Sequence, residues 1–162
     1  MKKQRRHREV TGVELATPDS PLFEPRLWGT WKSDRRKTFE YAVLPKATPE
    51  GLKKFRLLFG KMVVTWTKTT FSSFFDVDRF MGSPNDRTPD VQEYSVVARD
   101  PGRVVVCAGR RLPNPKRRPG PVEVEVLSEL DKISSLKTIE FDDDRGYRVS
   151  LGTFFEYFRR VD

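Results

Sequence analysis

A tryptophan near the start of the patterned region and two arginines at its end restrict the fold more than any other feature. Gly29-Thr30-Trp31 opens a stretch in which nearly every segment reads as a short β-strand, and Arg159-Arg160 closes it. A strand-borne Trp and a strand-borne Arg so far apart in sequence meet only if the sheet curls until its first and last strands are neighbours. Closure also removes the unpaired edges that an open sheet leaves. The expected fold is therefore all-β: a single antiparallel up-and-down β-barrel of about eight strands, with one short helix after strand one.

The pass along the chain supports that count. Residues 1–26, broken by Pro18, Pro21 and Pro25, show no sustained period and are expected to form a mobile basic arm, leaving 27–162 as the barrel domain. Strand one runs from Leu27 to Lys32. Thr48, Pro49 and Glu50 are suited to a helix start and Gly60 to its end, so a helix is expected over Pro49 to Phe59. Beyond Gly60 the period switches to two, with Met62, Val64 and Trp66 on one face. Further strands are expected over Thr70–Val77, Glu93–Arg99, Arg103–Gly109, Val122–Val126, Leu136–Phe141, Gly146–Leu151 and Thr153–Val161. Asp100-Pro101-Gly102 and Asp142-Asp143-Asp144-Arg145 supply turns. The last strand is bulky on both faces, Phe154 and Phe158 against Phe155 and Tyr157. One face must therefore be covered by the helix, the arm or a second copy in a homodimer.

Composition narrows the chemistry. Twelve Phe, four Tyr and three Trp in 162 residues provide for a substantial core. The single Cys, Cys107, lies in an apolar run and reads as a small buried hydrophobe. The single His, His7, lies in the arm, which leaves no histidine for a Ser-His-Asp or Cys-His arrangement within the fold and too few ligands for zinc. Asp76-x-Asp78 and Asp142-Asp143-Asp144 read as solvated turns, so no metal, no cofactor and no enzymatic activity are expected. No apolar run reaches the roughly 20 residues of a membrane span, and the basic start Met1–Arg8 leads into Glu9 rather than an apolar segment. A soluble, cytoplasmic protein is expected.

Leu27-Trp28-Gly29-Thr30-Trp31-Lys32 resembles the Gly-x-Trp signature on the first strand of the calycin group, the lipocalins and intracellular fatty-acid-binding proteins. The resemblance implies that Trp31 packs over the closed end of the barrel beneath an arginine of the last strand, Arg159 or Arg160. It also implies a barrel that binds a small apolar or weakly anionic molecule. By strand alternation the candidate lining residues are Met62, Val64, Trp66, Phe75, Val96, Val106, Val124 and Tyr157. Tyr157-x-Arg159 offers a pair on one strand face that could grip an anion inside the barrel.

The charge pattern opens a second reading. The net charge is +8, and residues 109–119 alone carry five Lys or Arg and no acid. Lys2, Lys3, Arg5, Arg6 and Arg8 in the arm, with Arg110, Arg111, Lys116, Arg117 and Arg118 in the Pro-rich loop of residues 110–120, could bind nucleic acid or an acidic protein.

Overall fold

In a computed structural model of the chain, the residues described are 11–42, 48–80, 82–114, 136–143, 145–151 and 154–162, apart from the side chains of Lys54, Phe55 and Leu58. The barrel strands are β2 (Gly29–Ser33), β3 (Met62–Trp66), β4 (Thr70–Phe75), β7 (Asp90–Arg99), β8 (Arg103–Arg111), β9 (Leu136–Asp143), β10 (Gly146–Ser150) and β11 (Phe155–Arg160). Each pairs antiparallel with the next, and β11 returns to pair with β2, Arg160 opposite Trp31. This is the eight-stranded up-and-down barrel that the bookends require, with the calycin-like closure of last strand on first. A short strand β1 (Glu14–Leu15) is added outside β7, and β5 (Arg79–Phe80) forms a separate hairpin with β6 (Ser83–Pro84). Among the described residues no helix is long and apolar enough to cross a membrane.

The first expected strand starts two residues later than its pattern implied. Pro25–Leu27 instead form a 3-10 turn, its start held by the Glu24 carboxylate accepting from the Arg26 amide at 3.1 Å. The turn plugs one end of the barrel with Leu27, which is fully buried. The segment from residue 11 to 26 is not a free arm. Glu14 and Leu15 pair with Arg99 and Ala98, and Leu22 bridges Val96. Arg99 ties the segment down further by donating to Glu14 at 2.6 Å and to the Phe23 carbonyl. Prolines there forbid regular structure but not docking, which is why composition alone misread it.

Among the described residues, two helices stand between β2 and β3 where one was expected. The expected one is α2 (Pro49–Leu58), with Thr48 Oγ1 accepting from the Gly51 amide at 3.0 Å. The additional one is α1 (Arg35–Glu40), capped by Asp34, whose Oδ1 accepts from the Lys37 amide at 3.0 Å. The expected Val122–Val126 strand lies outside the described residues.

Pairing fixes which side chains point inward. Trp31 lies opposite Val64, Val64 opposite Ser73, Tyr147 opposite Phe158, and Ile139 opposite both Val104 and Val149. At the plugged end these residues pack densely. The Trp31 ring lies 4.7 Å from that of Tyr147, which stacks on Phe158 at 5.0 Å. Trp66 Nε1 donates to the Tyr147 hydroxyl at 3.1 Å, and the Trp66 ring meets Phe71 and Tyr94 at 4.9 Å. The Arg160 guanidinium lies 4.5 Å over Trp31 and donates to the carbonyls of Trp28 and Arg26 at 2.8 Å, so it welds the plug to the wall.

Candidate functional site

The interior divides into two halves with different side chains. Toward the plug it is filled by Trp31, Ile139, Tyr147 and Val104, none more than 1% exposed. Toward the other end the inward positions change character. Ser33, Ser73 and Ala108 are small, and Met62, Phe75 and Val149 are only partly buried. Register accounts for these placements: Met62 faces Phe75 across β3–β4, and Ala108 faces Tyr94 across β7–β8. The rim of this end is aromatic. Phe80 of the β5–β6 hairpin stacks on Phe75 at 4.6 Å, and Phe59 meets Phe154 edge-on at 4.9 Å. Asn85 pins the hairpin's base by donating to the carbonyls of Phe75 and Val77 at 2.7 and 2.8 Å.

Acids also lie on this inner face: Asp90, opposite Ser73 and paired with Arg111 at 3.5 Å, and Glu156. Glu156 is 3% exposed and lies opposite Val149; its Oε1 accepts from the Ser33 hydroxyl at 2.7 Å. Burial pushes its carboxyl above the ordinary glutamate range, opposed by the Ser33 hydroxyl and the Gly60 amide. Burial likewise raises the Tyr147 phenol, which stays neutral.

Of the lining residues expected from sequence, Met62, Val64, Trp66, Phe75, Val96 and Val106 lie on the inner face, with Val64, Trp66, Val96 and Val106 in the packed core. Val124 lies outside the described residues. Tyr157 and Arg159 are corrected. Arg160 is the arginine over Trp31, so by alternation 156, 158 and 160 point inward while 157 and 159 point outward. Arg159 is exposed, and the Tyr157 ring lies against Tyr41 on the outside at 5.6 Å. The expected anion grip within the barrel is therefore not formed. The same parity would have revealed Glu156 and Ser33, which sequence reasoning missed. Gly29 stands where expected, at φ +126 with Arg160 so close that a Cβ would lie 2.7 Å from its Nη1.

The acids and the basic loop have local roles. Arg87 bridges Asp76 and Asp78 at 2.9 Å, Lys32 adds a second contact to Asp76 at 3.0 Å, and Lys37 holds Asp142 at 2.6 Å. Arg110 pairs with Glu93 at 3.4 Å and Arg111 with Asp90 at 3.5 Å. The other basic candidates, Lys2, Lys3, Arg5, Arg6, Arg8, Lys116, Arg117 and Arg118, lie outside the described residues. Cys107 is partly exposed on the outward side of β8.

No protein-family model matches the chain, and no curated protein does. Among solved structures, a lipocalin-like protein from Bacteroides uniformis is similar at 11% identity over 84% of this chain and 99% of that one, with a TM-score of 0.40.

Proposed function

We propose that this chain is a non-enzymatic binding protein whose barrel takes a small, neutral, apolar molecule through its unplugged end. The observation that carries this reading is the contrast between the two halves of the interior. Side chains large enough to fill a barrel occupy the plugged half, whereas Ser33, Ser73 and Ala108 occupy inward positions of the other half. Small residues on an inner wall beneath a partly exposed aromatic rim favour an apolar guest, since each buried CH₂ contributes about 0.8 kcal/mol. The buried Glu156 and the outward turn of Tyr157 and Arg159 disfavour the weakly anionic guest expected from sequence, and Arg111, opposite Gln92 on β7, is already paired with Asp90. The polyanion reading receives less support, because Arg110 and Arg111 already face carboxylates.

Titration of the full chain with an apolar, environment-sensitive fluorophore tests the proposal. Saturable binding at one site is expected in the wild type. Loss of that binding is expected in Ser73→Phe, which fills the space without a new charge. Absence of binding in the wild type, or undiminished binding in a folded Ser73→Phe variant, overturns it.

A further inference from the structure

Two acids are almost completely buried, and only one of them has a cation for a partner. Glu24 is met by the Arg26 guanidinium at 2.7 Å. Glu156, on the inner wall, is met among the described residues by neutral donors only, the Ser33 hydroxyl at 2.7 Å and the Gly60 amide. Its ionised form therefore places an uncompensated charge against the unplugged half of the barrel. Burial penalises that charge and not the neutral acid, whose proton is held accordingly.

The carboxyl stands where a guest would lie. Ser33, which holds it, is one of the small inward residues of this half, and Val149, opposite Glu156 on β10, is partly buried. An apolar guest against Ser33 and Val149 excludes water from around the carboxyl, a loss that falls on the carboxylate far more than on the neutral acid. Neighbouring charges do not offset it. Lys32 of β2 holds Asp76, Arg148 of β10 holds Glu140, and Lys37 of α1 holds Asp142. Arg35 of α1 packs on Gly60 with its guanidinium 5.2 Å over the Phe39 ring, and Lys61 points outward by alternation with Met62. On β11 itself Arg160 lies over Trp31, and elsewhere on the inner face Asp90 is answered by Arg111. The inward titratable neighbour on β10, Tyr147, stays neutral because burial pushes its phenol up.

We infer that guest binding in the barrel is coupled to a proton on Glu156: the site takes a neutral apolar molecule with the carboxyl protonated, and binds it more weakly once the carboxyl ionises. The proton comes from solvent. This coupling rests on the reading of the unplugged half as an apolar site and supplies its regulation. By linkage the guest tightens the hold on the proton by the same factor that the proton tightens the hold on the guest.

Fluorescence titration of the full chain with N-phenyl-1-naphthylamine, uncharged throughout, between about pH 4 and pH 8 tests this. Affinity is expected to be highest in acid and to fall about tenfold or more as Glu156 ionises. Glu156→Gln should flatten the profile. Ser33→Ala removes a donor that favours the carboxylate and should move the midpoint to higher pH. Calorimetry of the wild type in two buffers of different ionisation enthalpy, on the falling part of the profile, should show an uptake of up to about one proton per probe bound. That measurement needs no variant to fold. Absence of saturable binding at every pH defeats the apolar-site reading and this coupling with it. Saturable binding without proton uptake, a pH profile that persists in Glu156→Gln, or a midpoint unmoved by Ser33→Ala overturns the coupling alone and leaves the apolar site standing.

Discussion

Arg160 does two things at once: its guanidinium covers the Trp31 ring, and it donates to two carbonyls of the turn that plugs the barrel. A planar fork can do both, whereas an ammonium cannot reach two carbonyls while lying flat on an indole. Arg160→Met is expected to cost about 2–3 kcal/mol in urea unfolding, and Arg160→Lys to recover less than half of that. Glu156 gives a signed pH dependence. Its carboxyl is held above the ordinary value of 4.5, mainly by burial. The folded chain therefore holds that proton more tightly than the unfolded one. The associated stability is complete below the ordinary glutamate range and is lost as pH rises through the raised value. Glu156→Gln cannot ionise, so it should be the more stable protein above neutrality, by about 1 kcal/mol, and lack this part of the slope. Equal slopes in urea unfolding between about pH 4 and pH 8 would contradict the assignment. At this scale the sequence identified Trp31 and the need for a terminal arginine. It left open which arginine, and that choice decides which residues face inward.

The helix α1 replaces a strand rather than decorating one. Where β2 ends at Ser33, the Asp34 amide still donates to the Tyr157 carbonyl at 2.6 Å, and the Tyr157 amide donates to the Thr38 hydroxyl at 3.0 Å. The outer face of β11, which carries Phe155 and Tyr157, is covered here by Tyr41 and by Arg148, whose guanidinium lies 4.3 Å over Phe155. Thr38 is fully buried, so Thr38→Val leaves the Tyr157 amide unpaired and should cost about 1–3 kcal/mol by thermal unfolding, while Thr38→Ser should be much milder. Six residues with three consecutive basic side chains carry little helical period, which is why α1 was not legible. The strands were, because Met62–Trp66, Arg103–Arg111 and Leu136–Asp143 alternate against a single packed core. The strand β1 is held by pairing with β7 alone, so nothing local announces it.

For the whole molecule, closure was legible in the bookends, because a barrel brings residues 31 and 160 together, and the strand count in the alternation between them; the plug was not, since Leu27 was expected in a strand. The candidate site was legible only in part. Its apolar wall follows from alternation, but the small residues Ser33 and Ser73 and the rim ring Phe80 gain meaning from register and loop folding. The central claim is that an apolar guest enters the unplugged half. Met62 reports on it directly, as an inward, partly exposed side chain opposite Phe75 and one of three methionines. In a methyl NMR spectrum of the full chain labelled at methionine, titration with an apolar probe should shift the Met62 signal in a saturable manner and leave Met1 in place. A Met62 signal that stays fixed while the probe binds, or a probe that does not bind, would contradict the account.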